Sequence, residues 1–192
     1  AELVYRVTLA PHEERDVPFI LVISNEGTED ALARYRASAL EEPRALLTAT
    51  EEAVGRVMRM SDILTPDPAI TRAIKWAKIN TIREQRKYPV GFSFTNDPPQ
   101  DILVVRDIAW FSVGSDYLTP DFSRGTMELV RDYGVEPGGE ITEYIMACEN
   151  PPFKSNYGLN INDDTPLLIF AVHHHYALTA DEEFLRGMWP TV

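Results

Sequence analysis

An arginine and an aspartate stand side by side in the stretch VVRDIAWFSVGSDYL, close to three aromatic residues. Arg106 offers a planar fork of hydrogen-bond donors, and Asp107 offers two acceptor oxygens. Such a pair can hold two neighbouring hydroxyls of a sugar, while Trp110 or Tyr117 packs against the C–H faces of the ring. The alternative interpretation is an ion pair that terminates an element, with the aromatic residues in the core.

A second cluster of polar residues lies in the stretch NDDTPL. Its first four residues all favour a helix N-cap, and carboxylates near a helix N-terminus suit the helix dipole. One cap needs only one side chain, so the two adjacent aspartates, Asp163 and Asp164, leave one for another role. Glu140 and Glu143, in the glycine-rich stretch PGGEITEYI, are predicted to face water.

Three consecutive histidines, His173 to His175, suggest a metal site only at first sight. Successive residues of a helix point about 100° apart, so three in a row cannot converge on one ion. We expect one of them to pack and form hydrogen bonds in the core. The single cysteine, Cys148, excludes an intrachain disulfide and a paired-cysteine metal site. No metal and no cofactor are predicted.

Composition narrows the choice of partner. The chain has 192 residues, 44% of them hydrophobic, and a formal net charge of -12. This composition is typical of a globular protein. A strongly acidic chain has nothing to replace the counterions on phosphate, so nucleic acid and anionic membranes are not expected as partners. No apolar run reaches the roughly 18 residues of a membrane span.

The elements that must position these residues are mostly helical. Alternating apolar residues over 3–9 and 19–23 predict two strands with a turn between them. Helical periodicity follows from Thr28, in two stretches that meet at Pro43, and another helix is predicted after Asp67 as N-cap and Pro68 at its first position. Two long loops, over 88–102 and 135–162, separate the later helices and are predicted to gather at one end, where they could form a concave site.

The order and spacing of these segments resemble the six-hairpin glycosidases of the glycogen-debranching (amylo-alpha-1,6-glucosidase) and glucoamylase type. The matching elements are an Arg-Asp dipeptide with a nearby Trp, a helix of the form FSRGTMELV, a Gly-Glu-Ile loop, an aromatic-Gly pair, and a helix that opens with Asp. In this chain they are Arg106-Asp107 with Trp110, residues 122–130, Gly139-Glu140-Ile141, Tyr157-Gly158, and Asp163-Asp164-Thr165-Pro166-Leu167.

The resemblance implies a mainly α fold, an incomplete (α/α)6 toroid preceded by the last strands of a β-sandwich and a helical linker. It divides the chain into the end of the sandwich (1–27), the linker (28–66) and the first part of the barrel (67–192). It implies a fragment of an inverting glycoside hydrolase that acts on α-glucosidic bonds of an oligo- or polysaccharide. Such an enzyme needs two carboxyl groups and no metal.

The resemblance also implies roles for particular residues. Arg106 and Asp107 would grip sugar hydroxyls, Trp110 and Tyr157 would offer aromatic surface, and Asp163 or Asp164 would line the same pocket. The catalytic acid and base would lie beyond the last residue, so we expect the chain alone to be inactive. Apolar side chains that await further helices would be partly exposed and favour self-association, namely Leu167, Leu168, Phe170 and Trp189.

Two alternatives stay open. One is a non-catalytic carbohydrate-binding or structural helical domain, in which Arg106 and Asp107 form a plain ion pair. The other is a related barrel with different chemistry, such as a trehalase-like enzyme, a mannosyl-oligosaccharide glucosidase or a sugar phosphorylase.

Overall fold

The computed structural model of the chain describes residues 4–24, 26–95, 102–149, 151–156 and 163–192. It is mainly helical, as predicted, with seven α-helices and five short strands in these ranges. The chain forms two compact units, residues 1–53 and 54–192. No helix in the described ranges is long and apolar enough to cross a membrane.

The first unit lacks the two strands predicted from its alternating pattern. Residues 4–24 contain no strand, although a turn joins the two segments, where the Glu13 N–H donates to the Ala10 carbonyl at 3.0 Å. The segments contact each other through Tyr5 and Phe19, whose ring centroids lie 5.2 Å apart. Alternation favours a strand only where a backbone ladder can form, and an isolated two-stranded hairpin is marginal in water. Helix α1 (Thr28–Ala39) follows, and then α2 (Pro43–Arg59).

The first helix that lies wholly within the second unit has a start that was predicted correctly. Helix α3 spans Pro68–Arg83, with Pro68 at its first position and Asp67 as N-cap. The Asp67 carboxylate accepts a hydrogen bond from the Ala69 N–H at 2.7 Å, which satisfies one of the free donors of the first turn.

A β-hairpin follows, and its second strand lies where the sequence predicted a loop. Strands β1 (Gln85–Tyr88) and β2 (Gly91–Phe94) pair antiparallel. Gly91 has a φ of +145° beside the turn, a conformation that suits glycine. The loop was predicted from the Gly, Pro, Asn and Asp residues of this stretch. They outweighed the spacing of two between the aromatic residues Phe92, which is exposed, and Phe94, which is buried.

Two helical hairpins make up most of the second unit. Helix α4 spans Val105–Ser115 and is followed by α5 (Pro120–Tyr133); helix α6 spans Asp164–Thr179 and is followed by α7 (Glu182–Met188). A small antiparallel sheet stands at the entry to α4, with the strand order β3 (Leu103–Val104), β4 (Tyr144–Met146) and β5 (Phe153–Ser155). The last two strands lie within the second predicted loop.

Helices α4 and α6 run parallel, since side-chain contacts join their N-terminal ends to each other and their C-terminal ends to each other. At their N-terminal ends, Arg106 pairs with Asp163 at 2.8 Å. At their C-terminal ends, the buried Asp116 carboxylate is hydrogen bonded to Nδ1 of His174 at 2.9 Å and to Nδ1 of His175 at 2.7 Å. The prediction that one of the three histidines packs in the core is confirmed by His175, which is 1% exposed.

Helices α5 and α7 are also parallel to each other. Arg124, early in α5, pairs with Asp181, the N-cap of α7, at 2.9 Å. Arg131, near the end of α5, places its guanidinium against Gly187, near the end of α7. The second hairpin therefore lies beside the first in the same orientation, α6 on α4 and α7 alongside α5.

The hydrophobic core of this unit lies among α4, α5, α6, α7 and the sheet. Its most buried members include Ile108, Met127, Ile145, Leu168 and Phe184. The prediction that Leu168 would be partly exposed is therefore wrong: it shares a helical face with Ala171 and Val172, which are also in the core. Phe170 and Trp189 are exposed, as expected, and Leu167 is half-buried against the core.

Replacing Ile108 by Ala tests the importance of the α4 face in this core. Ile108 is 1% exposed, and its truncation should lower the free energy of unfolding by about 2–5 kcal/mol, from lost burial and the cavity left behind. Ile169→Ala on α6 is the matched control, because Ile169 is 44% exposed and its change should stay within about 0.5 kcal/mol. Urea denaturation followed by circular dichroism measures both; equal losses would contradict this packing.

Candidate functional site

The N-terminal turns of α4 and α6 lie side by side and bring together residues that are far apart in sequence. Arg106 Nη2 lies 2.8 Å from Asp163 Oδ1, and the two side chains are 37% and 52% exposed. The hydrogen bond with Asp163 raises the pKa of Arg106. An exposed ion pair of this kind contributes only about 0–1 kcal/mol to stability. Stability alone therefore gives little reason for the pair.

Asp164 is a buried carboxylate with a raised pKa. It is 1% exposed, and neither of its oxygens has a hydrogen-bond partner of normal geometry among the described residues. Its pKa is raised to about 6, chiefly by burial and also by the negative charges of Asp163 and Glu143. The positive charge of Arg106 and its backbone N–H act in the opposite direction. A carboxyl group with such a pKa, placed beside a charged partner, is a physical indicator of a functional site.

The interpretation of the two aspartates as helix caps is wrong. Asp163 occupies the N-cap position of α6, but its side chain makes no capping hydrogen bond and bonds to Arg106 instead. Asp164 is the first residue of the helix, and its carboxylate interacts with the backbone N–H of Arg106 in α4. Both carboxylates therefore remain directed at the entry of α4, where the dipole of that helix favours negative charge.

Glu143 completes the site, and the prediction that it faces water is wrong. Its side chain is buried, with the residue 5% exposed, whereas Glu140 is exposed. The sequence contained a signal for this. Glu143 lies between Ile141 and Ile145 at a spacing of two, and both isoleucines are in the core, so alternation places Glu143 on the same face. Its oxygen Oε2 has no hydrogen-bond partner within the described ranges.

Backbone contacts hold Glu143 firmly in place. Its carbonyl accepts the Val105 N–H at 2.9 Å, which fixes it to the start of α4. Its own N–H donates to Asn156 Oδ1 at 2.8 Å. Two residues earlier, the Ile141 N–H donates to Thr165 Oγ1 at 3.1 Å, which fixes the segment to the start of α6. The backbone of Glu143 is therefore fixed before any ligand binds.

Buried polar atoms at this point lack a hydrogen-bond partner of normal geometry among the described residues: Arg106 Nε, Glu143 Oε2, and the oxygens of Asp164, which the Arg106 N–H approaches. Leaving a buried donor or acceptor unsatisfied costs about 1–3 kcal/mol. A donor beside several poorly satisfied acceptors is an arrangement that a group with several hydroxyls could satisfy.

The other predicted site residues have different positions. Trp110 lies one turn after Arg106, 57% exposed, with its ring centroid 5.9 Å from that of Phe170; it is placed to border the site. Asp107 is half-buried in the first turn of α4. Tyr157 lies outside the described residues. Tyr117 packs against His174 beyond the other end of α4, about 16 Å along the helix axis from Arg106, so it does not border this site.

The described part of the chain contains no group of three or more His, Cys, Asp or Glu residues arranged to hold a metal ion. No protein-family model matches the chain, and no curated protein is significantly similar to it. The chemical interpretation of the site therefore depends on its residues and geometry.

Replacing Asp164 by Asn tests the electrostatic strain at this site. Because its folded pKa of about 6 lies above the usual 3.8, the stability that Asp164 contributes is full below pH about 4 and is lost as the pH rises through about 6. At pH 8 the buried charge is a cost, so Asp164→Asn should raise the free energy of unfolding by roughly 1–3 kcal/mol.

Chemical denaturation at pH 5 and pH 8 measures this effect. The gain should shrink at pH 5, where Asp164 is mostly protonated in the folded protein. Asp163→Asn is the control, since its exposed carboxylate should change stability by less than about 1 kcal/mol. A loss of stability in Asp164→Asn at pH 8 would show that its carboxylate is a needed structural acceptor.

Proposed function

We propose that this chain is a carbohydrate-active protein, part of a glycoside hydrolase that acts on α-glucosidic bonds, and that it supplies part of the sugar-binding pocket. The observation that carries the proposal is the set of buried, unpartnered atoms of Arg106, Glu143 and Asp164 at the paired ends of α4 and α6. Trp110 is exposed one turn away.

Sugars suit this combination of groups. Each hydroxyl both donates and accepts hydrogen bonds, so neighbouring hydroxyls can donate to Glu143 and Asp164 while accepting from Arg106. The Arg106 guanidinium stays in place through Asp163. An exposed indole offers an apolar surface for the C–H face of the ring, as at many ligand sites that combine aromatic residues with a few polar groups.

The arrangement of the helices supports the finer fold proposal, an incomplete (α/α)6 toroid. Two consecutive helical hairpins lie side by side, with α4 parallel to α6 and α5 parallel to α7. Repetition of this unit around an axis would produce a ring of inner helices and a ring of outer helices. The proposed pocket would then lie at the N-terminal ends of the inner helices.

The proposed reaction is hydrolysis with inversion, which uses a general acid and a general base about 6.5–9.5 Å apart. We assign neither role. Arg106, Asp107, Trp110, Tyr157, Asp163 and Asp164 remain proposed substrate-binding residues, and Glu143 joins them. Release of β-glucose from an α-linked substrate by the complete gene product, followed by NMR, tests the reaction; binding without release by that product would favour a carbohydrate-binding role.

Replacing Arg106 by Ala tests whether sugar binds here. We expect the affinity for maltotriose to fall at least about tenfold, because hydrogen bonds from a charged group to the hydroxyls are lost. Titration of the 192-residue chain, followed by NMR, measures this affinity. Arg186→Ala is the matched control, since Arg186 forms an exposed ion pair with Glu182 on α7.

Unchanged maltotriose affinity in Arg106→Ala would favour the structural interpretation of the arginine. Arg106→Ala should unfold at a lower urea concentration than Arg186→Ala, because it removes the cation beside the buried Asp164 and Glu143. Circular dichroism must therefore show that both variants are folded under the conditions of the titration. An affinity loss that appears equally in Arg186→Ala would show a general effect of charge and would contradict the proposed site.

A further inference from the structure

The site has more poorly satisfied hydrogen-bond acceptors than donors. The donor is Arg106 Nε; the acceptors are Glu143 Oε2 and the oxygens of Asp164, which the Arg106 N–H approaches without normal hydrogen-bond geometry. A ligand that satisfies them must therefore donate more hydrogen bonds than it accepts at this end. Hydroxyl and ammonium groups can do so, whereas phosphate and carboxylate oxygens at neutral pH only accept.

The charges of the site are unequal as well. One guanidinium, that of Arg106, interacts electrostatically with Asp163, Asp164 and Glu143. Asp163 and Glu143 also interact electrostatically with Asp164. The closest partner of the guanidinium is already Asp163, at 2.8 Å. The single guanidinium is outnumbered by these three carboxyl groups. A further anion would be repelled at short range in a partly buried site, where screening is weak.

From these two inequalities, and resting on the proposed function, we propose that the site accepts the neutral or amino-bearing end of a sugar and rejects sugar phosphates and uronic acids, with Glu143 as a specificity-determining residue. Glu143 suits this role because its side chain is buried and its backbone is fixed between the starts of α4 and α6.

The test compares four monosaccharides as probes at pH 7.5: glucose, glucosamine, glucuronic acid and glucose 6-phosphate. Ethanolamine serves as a cationic donor that is not a sugar. Titration of the 192-residue chain followed by NMR gives each affinity. We expect glucose and glucosamine to bind, and the two anionic sugars to bind at least about tenfold more weakly than glucose.

Glu143→Gln isolates the role of Glu143, because glutamine keeps the size and one acceptor but removes the charge. The preference for glucose over glucose 6-phosphate should fall at least threefold. Glu140→Gln is the matched control on the same segment, with an exposed side chain, and should leave the preference unchanged.

Asp163→Asn is a second variant, at an exposed position. It frees Arg106 to bind the phosphate and should therefore weaken the preference for glucose over glucose 6-phosphate. This variant tests the inference even if Glu143→Gln folds poorly.

The outcomes separate this inference from the function on which it rests. If all four sugars bind equally, or neither Glu143→Gln nor Asp163→Asn alters the preference, the specificity inference is wrong and sugar binding stands. If ethanolamine binds at these residues and no sugar does, the proposed function is wrong and the exclusion of anions stands. If none of the probes binds, both are wrong.

Discussion

The parallel contact of α4 with α6 is the constraint on which the rest of the second unit depends. It is fixed at one end by a buried carboxylate, Asp116, held between two imidazoles. A buried charge is costly unless hydrogen bonds satisfy it, so His174 and His175 must lie where Asp116 can reach them. That requirement sets the register of the two helices. The same register places Asp163 and Asp164 beside Arg106 at the start of α4, although more than fifty residues separate them from it in sequence.

The two ends of this helix pair differ in how well their polar groups are satisfied. At the Asp116 end, each carboxylate oxygen has an imidazole partner. At the Arg106 end, Asp164 and Glu143 keep buried oxygens without partners among the described residues. Unsatisfied buried groups oppose folding, and proteins retain them mainly where function requires them. The well-satisfied end therefore supplies the rigidity that lets the other end hold unfavourable charges in a fixed arrangement.

Local patterns predicted much of the helical part of the fold and some of the site. Asp67 and Pro68 marked the start of α3, Arg106 was a candidate ligand residue from its type, and Asp163 was one from the resemblance. What failed depended on distant contacts. No local pattern reveals that Asp116 is hydrogen bonded to two histidines near the end of α6. Nor does one reveal that the Asp163 carboxylate accepts a hydrogen bond from Arg106 instead of capping its own helix. Glu143 was missed because its glycine-rich flank outweighed its alternation with Ile141 and Ile145.

The proposed sugar site lies between the starts of α4 and α6. Mapping of amide chemical shifts in isotope-labelled protein during titration with a maltooligosaccharide is its most direct test. The largest changes should fall on the first turns of both helices, near Arg106 and Asp164, and on the segment around Glu143. Saturable changes confined to another surface, such as the apolar cavity of about 720 Å³ lined by Phe92, Pro120 and Phe122, would contradict it, and so would no change at all.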